Sequence, residues 1–297
     1  MIPRLPLRIH CWGGFGSQIF ALLQYKNLSI LHPKRNVELI FHSSGVTKRP
    51  VEIEPFLTDI PWREIDDFVD LDFLKRERKP LGIKTKVRTK LLSILKAVLL
   101  RLGLIVQLES NEFLKRIRPW TSSVRGHYSK YEYSGELFLS FFSELERLSI
   151  LKEPNLKYSK IFVIQYRLGD LLSLRSKGHI PLNVVRREIN NFIETDDSKI
   201  DILFLTDSPD SIEGWRPDLA FDFESANLPP IDTLFAGVQA KMFLGTNSKL
   251  SLLIATIRTL TGKESILPNV FEDQIRSWTA GIEKVRYYTM KSLDQFN

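Results

Sequence analysis

Four short runs in the second half of the chain, KIFVIQYR (160–167), DILFLTD (201–207), AKMFLG (240–245) and ESILP (264–268), are almost unbroken in apolar residues. A strand that is apolar on both sides has to be covered on both sides, which is the situation of a parallel sheet layered between helices. Helical patterns fill the intervals at 182–194, 231–238 and 249–260. The rhythm of strand, turn and helix therefore predicts an α/β fold.

The first half opens in the same way. LPLRIHCW (5–12) reads as a strand, Gln18–Leu31 as a helix and VELIFH (37–42) as the next strand. Between them CWGGFGSQIF places Gly13, Gly14 and Gly16 in a turn, as a phosphate-cradling loop or a plain strand-to-helix turn would have them. The dinucleotide fingerprint G-x-G-x-x-G fails, because Ile19 stands where its last glycine belongs. The polar, proline-bearing LKEPNLKYSK (151–160) marks a boundary, dividing the chain into residues 1–153 and 154–297.

With 297 residues, 43% of them hydrophobic, either half can bury a core. Cys11 is the only cysteine and has no partner for an internal disulfide, and the opening MIPRLPLRIH lacks the unbroken apolar run of a signal peptide. The expected compartment is the cytoplasm. Charge is concentrated: residues 75–118 hold 13 Lys/Arg and 3 Asp/Glu, a net +10 in a chain whose total is +7. Within this segment Leu91, Ile94, Leu95, Val98, Leu99 and Leu102 share one helical face, and Lys86, Lys90, Ser93, Ala97 and Arg101 the other. Such a pattern usually belongs to a helix docked on a core with a solvated back. It also suits peripheral attachment to an anionic membrane, and a nucleic-acid-binding protein is the alternative that charge alone allows.

Ligands of open parallel sheets sit beyond the carboxyl ends of the strands, so polar residues there carry most weight. Gln165, Arg167 and Asp170 surround the end of VIQYRLGD. Arg167 suits a bidentate grip on a diphosphate, or a salt bridge to Asp170 that closes the turn. Asp207 follows the next strand, as a ligand contact or a helix cap. Thr246, Asn247 and Ser248 precede the helix at 249–260, whose N-terminus is an anion site or simply a capped end. One half thus carries three such strand ends. No GxxxxGK[ST] loop, HExxH or cysteine pair is present, and the five histidines show no metal-ligand spacing. Asp70-Leu71-Asp72 reads as a solvated acidic patch.

Taken in order, these segments resemble the bacterial α-1,2-fucosyltransferases, glycosyltransferase family eleven. GGFGSQIFALLQY resembles that family's glycine-rich start, and VRGHYSKYEY (124–133) its aromatic segment. VIQYRLGDLL stands at the place of its His-x-Arg-Arg-Gly-Asp-Tyr signature, LFLTDSPD at its Phe-Ser-Asp-Asp, and FLGTNSKLSLLIA at its Asn-Ser-Thr-Phe-Ser-Trp-Trp helix start. Departures are Gln165 for His, Leu168 for the second Arg, Ser17 for Asn, and Leu252-Leu253 for the Trp pair.

The resemblance implies two Rossmann-like domains facing a cleft, of the GT-B type. The N-terminal domain would be acceptor-side and the C-terminal one would bind a GDP-sugar. It implies an inverting, metal-independent transfer of a 6-deoxyhexose, fucose or a relative such as colitose, to an oligosaccharide acceptor, a galactoside of surface polysaccharide (O-antigen) in the expected case, lipid-linked or free. No cofactor is implied, since the GDP-sugar is a substrate. Arg167 would be catalytic, with Asp170 beside it. Gly14, Gly16, Ser17, Gln18, Gln165, Arg167, Asp207, Thr246, Asn247 and Ser248 would line the donor site, with Ser17 and Gln18 also capping the first helix. The departures leave open an inactive relative that binds a glycan.

Overall fold

The structure is a computed structural model that describes residues 5–43, 49–65, 83–108, 117–126, 128–148, 158–168, 180–195, 200–219 and 221–290. The chain forms two compact units, Met1–Glu132 and Tyr133–Asn297.

The first unit contains β1 (Leu7–Trp12), α1 (Phe15–Leu31), β2 (Val37–His42), β3 (Trp62–Ile65), α2 (Ile83–Arg101), β4 (Ile105–Leu108) and β5 (Ser123–Gly126). Among the described residues its five strands are parallel, in the order β3-β2-β1-β5-β4. The register pairs Leu7 with Val37, Ile9 with Leu39 and Cys11 with Phe41, so one face is apolar, and α1 packs on β1 and β2. Ile19, Phe20, Leu22, Leu23 and Leu28 are buried on that helix. The other face differs. Side chains alternate along a strand, so it carries Arg8, His10, Trp12, Glu38 and His42, joined by Arg63 of β3 and Arg125 of β5. Glu38 pairs there with Arg8 at 3.5 Å and Arg63 at 3.3 Å.

The second unit contains α3 (Gly135–Leu148), β6 (Ile161–Gln165), α4 (Leu182–Thr195), β7 (Asp201–Leu205), α5 (Pro209–Glu213), β8 (Glu224–Ala226), α6 (Pro230–Gln239), β9 (Met242–Gly245), α7 (Lys249–Leu260), β10 (Ser265–Pro268), α8 (Glu272–Trp278) and β11 (Val285–Tyr288). Among the described residues its six parallel strands run β8-β7-β6-β9-β10-β11. Chain order thus leaves the first strand in one direction, then returns to its other side, as in a Rossmann sheet. The four apolar runs are β6, β7, β9 and β10, and the helices between them lie within a residue or two of the predicted ranges.

The division between units falls before α3, ahead of the polar 151–160 stretch. The reason is aromatic packing: Tyr133 and Phe138 stack against Trp278 of α8 with ring centroids 5.8 and 5.0 Å apart, and Phe142 meets Phe235 of α6 at 5.7 Å. A Cβ at Gly135 would lie 2.8 Å from Leu260 Cδ2 and 3.2 Å from the Trp278 carbonyl oxygen, so α3 approaches α7 and the end of α8 closely there.

Arg258, in the last turn of α7, is fully buried. Its Nη1 donates to the carbonyls of Gly237, Val238 and Ala240 at the end of α6, and its Nη2 to those of Lys241 and Glu264. Burial pulls its pKa down to about 10, which leaves it charged at neutral pH.

Candidate functional site

In the second unit the strand order reverses between β6 and β9, and the residues singled out in the sequence gather at that place. Register pairs Gln165 of β6 with Gly245 of β9 and with Leu205 of β7. Two residues further along each chain stand Arg167, Asn247 and Asp207, at matching positions beyond three neighbouring strands. Crevices at such a switch point are where open α/β sheets bind ligands.

Hydrogen bonds lock the three loops together. The Arg167 amide donates to Thr246 Oγ1 at 3.2 Å, and that hydroxyl donates to the Gln165 carbonyl at 2.9 Å. The Leu168 amide donates to Asp207 Oδ1 at 2.9 Å, so Asp207 ties the β7 loop to the β6 loop rather than capping α5, whose N-cap is Ser208. Ser208 gives its amide to Thr206 Oγ1.

The start of α7 is built with similar care. Ser248 is its N-cap, with extended backbone, and its hydroxyl accepts the Ser251 amide at 3.0 Å. Gln165 Oε1 accepts from the Ser248 hydroxyl at 2.7 Å and from the Ser251 hydroxyl as well. Gln165 is therefore buried as a strut between β6 and the helix end, its amide oxygen taken by two serines. Ser251 also receives the Thr246 amide at 3.0 Å. Gly245 is required here: a Cβ on it would lie 2.6 Å from both Leu267 Cδ2 and Ser251 Cβ. Its carbonyl accepts the Tyr288 hydroxyl at 2.9 Å. The arrangement holds the positive end of a twelve-residue helix beside a strand end that carries Arg167.

Two departures from the family pattern have packing reasons. Leu168 is buried in the apolar cluster that includes Tyr166, Ile180 and Val184, where an arginine would need a partner. Leu252 and Leu253 are likewise buried on α7. Asp170 lies outside the described residues, as do Gly169, His127, His179 and the Asp70–Asp72 patch.

In the first unit the glycine turn has a different content. Gly13 has φ of 99°, in the region glycine favours, and Gly14 is the N-cap of a helix that starts at Phe15. Ser17 and Gln18 thus lie within the helix and do not cap it, because the glycines close the turn sooner than the apolar pattern begins. Gly16 falls in the first helical turn. Gln18 is buried: its amide nitrogen donates to the carbonyls of Gly13 at 3.1 Å and Pro50 at 2.8 Å, and its oxygen accepts the Glu52 amide at 2.8 Å. The Glu52 carboxylate accepts a hydrogen bond from the Phe15 amide, at the positive end of α1, and burial raises its pKa above the usual carboxylate value. A Cβ at Gly14 would be 3.3 Å from Glu52 Oε2.

Sequence reasoning missed Glu52, Ser251 and Tyr288. Ser251 carried a signal, being one turn after Ser248; the others did not. It also passed over the imidazole pair on the polar sheet face, where His10 Nδ1 lies 2.9 Å from His42 Nε2. Burial first, then Arg125, His42, Arg8 and Arg63, pull the His10 pKa down to about 3, which keeps the ring neutral in ordinary buffers. Among the described residues, no group of three His, Cys, Asp or Glu side chains is placed to hold a metal ion.

No protein-family profile matches the chain, and no curated protein matches it in sequence. Among solved structures it is similar to the E. coli heptosyltransferase WaaC with ADP (11% identity, 98% of this chain and 98% of that one, TM-score 0.45). It is also similar to POFUT1 in complex with GDP (10%, 96% and 98%, TM-score 0.41) and to the fucosyltransferase NodZ from Bradyrhizobium (12%, 85% and 92%, TM-score 0.46).

Proposed function

We propose that the protein is a GT-B-type glycosyltransferase whose second unit binds a GDP-sugar and whose first unit takes the acceptor. The transferred group is a 6-deoxyhexose, fucose or a relative such as colitose, and the acceptor is an oligosaccharide hydroxyl, in the favoured case a galactoside of surface polysaccharide. The observation that carries the reading is the switch point between β6 and β9, where Arg167 and the capped start of α7 are fastened to one another through Thr246 and Gln165. The collinear motif resemblance supplies the class of donor.

The chemistry follows from those two features. The acceptor oxygen attacks the anomeric carbon, the bond from that carbon to the β-phosphate oxygen breaks, and GDP leaves with the electron pair. The acceptor proton passes to a base or to water, and configuration inverts from β to α. Negative charge grows on the departing diphosphate. A guanidinium and a helix N-terminus, fixed in advance by hydrogen bonds, stabilise it without reorganising, and this reading needs no metal. Asp207, with Oδ1 holding the Leu168 amide, fixes the loop that carries Arg167.

Thermal-shift titration with GDP, UDP, ADP and a short oligonucleotide, each with and without EDTA, tests the donor class. At 100 times its Kd, GDP is expected to add about 2.7 kcal/mol of stability, unaffected by EDTA. Stabilisation by UDP or the oligonucleotide in place of GDP would sink the reading. Transfer from a panel of GDP-sugars to oligosaccharides, read by mass, then identifies the sugar, and GDP binding with no transfer to any acceptor marks the inactive glycan-binding alternative.

A further inference from the structure

The basic segment is the one sequence feature that the donor site does not use, and the structure changes how it reads. Its apolar face is not docked on a core: Leu91, Ile94, Leu95, Val98 and Leu102 are 64, 57, 53, 46 and 58% exposed. At roughly 100° per residue these five side chains fall within about a third of the helix circumference. Lys90 and Arg101, both exposed, lie along one flank of this stripe. Over its whole length α2 carries six Lys/Arg and no Asp or Glu. No described helix is long and apolar enough to cross a membrane.

We infer that α2 docks the protein on an anionic lipid surface, lying in the interface with its leucine stripe among the acyl chains and its flanking cations at the headgroups. Charge complementarity selects this occupant. A second copy of the helix would bring six cations against six, with no acidic residue to pair them. A nucleic acid would satisfy the cations and leave the leucine stripe in water. An anionic bilayer takes both at once, which is the arrangement of interfacial amphipathic helices. The inference stands apart from the donor chemistry, since it concerns a different surface and needs no substrate.

Co-flotation with phosphatidylcholine vesicles, with and without phosphatidylglycerol, tests it. The full chain is expected to float with the phosphatidylglycerol vesicles and to stay behind with phosphatidylcholine alone. The double variant Leu95→Asp/Val98→Asp should lower partitioning by roughly tenfold or more, and Lys90→Glu/Arg101→Glu by roughly tenfold, each with an unchanged melting temperature because the sites are exposed. Absence of flotation by the parent chain would overturn the inference, as would flotation that the Leu95→Asp/Val98→Asp variant retains. A dimer that this variant dissolves, or oligonucleotide binding that it leaves intact alongside vesicles left unbound, would assign the surface to the other occupants instead.

Discussion

Two corners of the molecule have the same plan and opposite contents. At β1–α1 and at β9–α7, a parallel strand passes through a short glycine-bearing turn into a helix: Gly13 and Gly14 stand between Trp12 and Phe15, and Gly245 ends β9 with three residues between it and the start of α7. In the first corner the chain fills the helix end with its own carboxylate, Glu52, which takes the Phe15 amide and lies against Gly14. In the second, the cap is a neutral hydroxyl, Ser248, steadied by the neutral amide of Gln165. A glycine turn leading into a helix is therefore not sufficient for an anion site. What decides is whether the protein has already placed its own negative charge at the positive end.

The largest expected effect tests the open corner. Arg167→Ala should lower transfer by about 10²–10³-fold, the cost of losing one preorganised charge donor, and should remove the GDP-induced thermal shift while the unliganded melting temperature holds. Transfer at parental rate would place the diphosphate elsewhere. Next comes the strut. Gln165→Leu leaves the Ser248 and Ser251 hydroxyls without their shared acceptor, and urea unfolding should show a loss of about 1–3 kcal/mol together with weaker GDP binding. Stability unchanged in that variant would show that the serines repair the cap alone.

The smallest effect belongs to the closed corner, and its sign is definite. Because the Glu52 pKa is raised in the fold, the carboxyl favours the native state when protonated, and that contribution is lost as pH rises from the ordinary carboxylate range through its elevated pKa. Glu52→Gln should therefore flatten the fall in melting temperature over that rise and leave GDP affinity in the second unit as it was. A steeper fall would mean that the ionised Glu52 does more for α1 than its burial costs.

Much of this was legible in the sequence where local pattern and tertiary role coincide. The runs at β6, β7, β9 and β10 are apolar because both faces of the sheet are covered, so periodicity and burial report the same fact. Ser248 was legible as a cap because caps are local. Gln18 and Glu52 were not, since their partners lie more than thirty residues apart in the chain. The polar face of the first sheet was hidden for a related reason: Arg8, His10 and Arg125 look like ordinary strand polar residues until the register sets them side by side. With α2 the pattern named a face correctly, but periodicity is silent about what, if anything, covers it.

The buried guanidinium of Arg258 gives α7 a mechanical character. Its C-terminal turn is riveted to the end of α6 and the start of β10, while its first turn is riveted to β6 through Gln165. A helix held at both ends behaves as a clamped beam and has little freedom to slide along its axis. On the proposed reading, a diphosphate at this helix start would meet a fixed electrostatic wall, and the fit would have to be made by the torsions of the ligand.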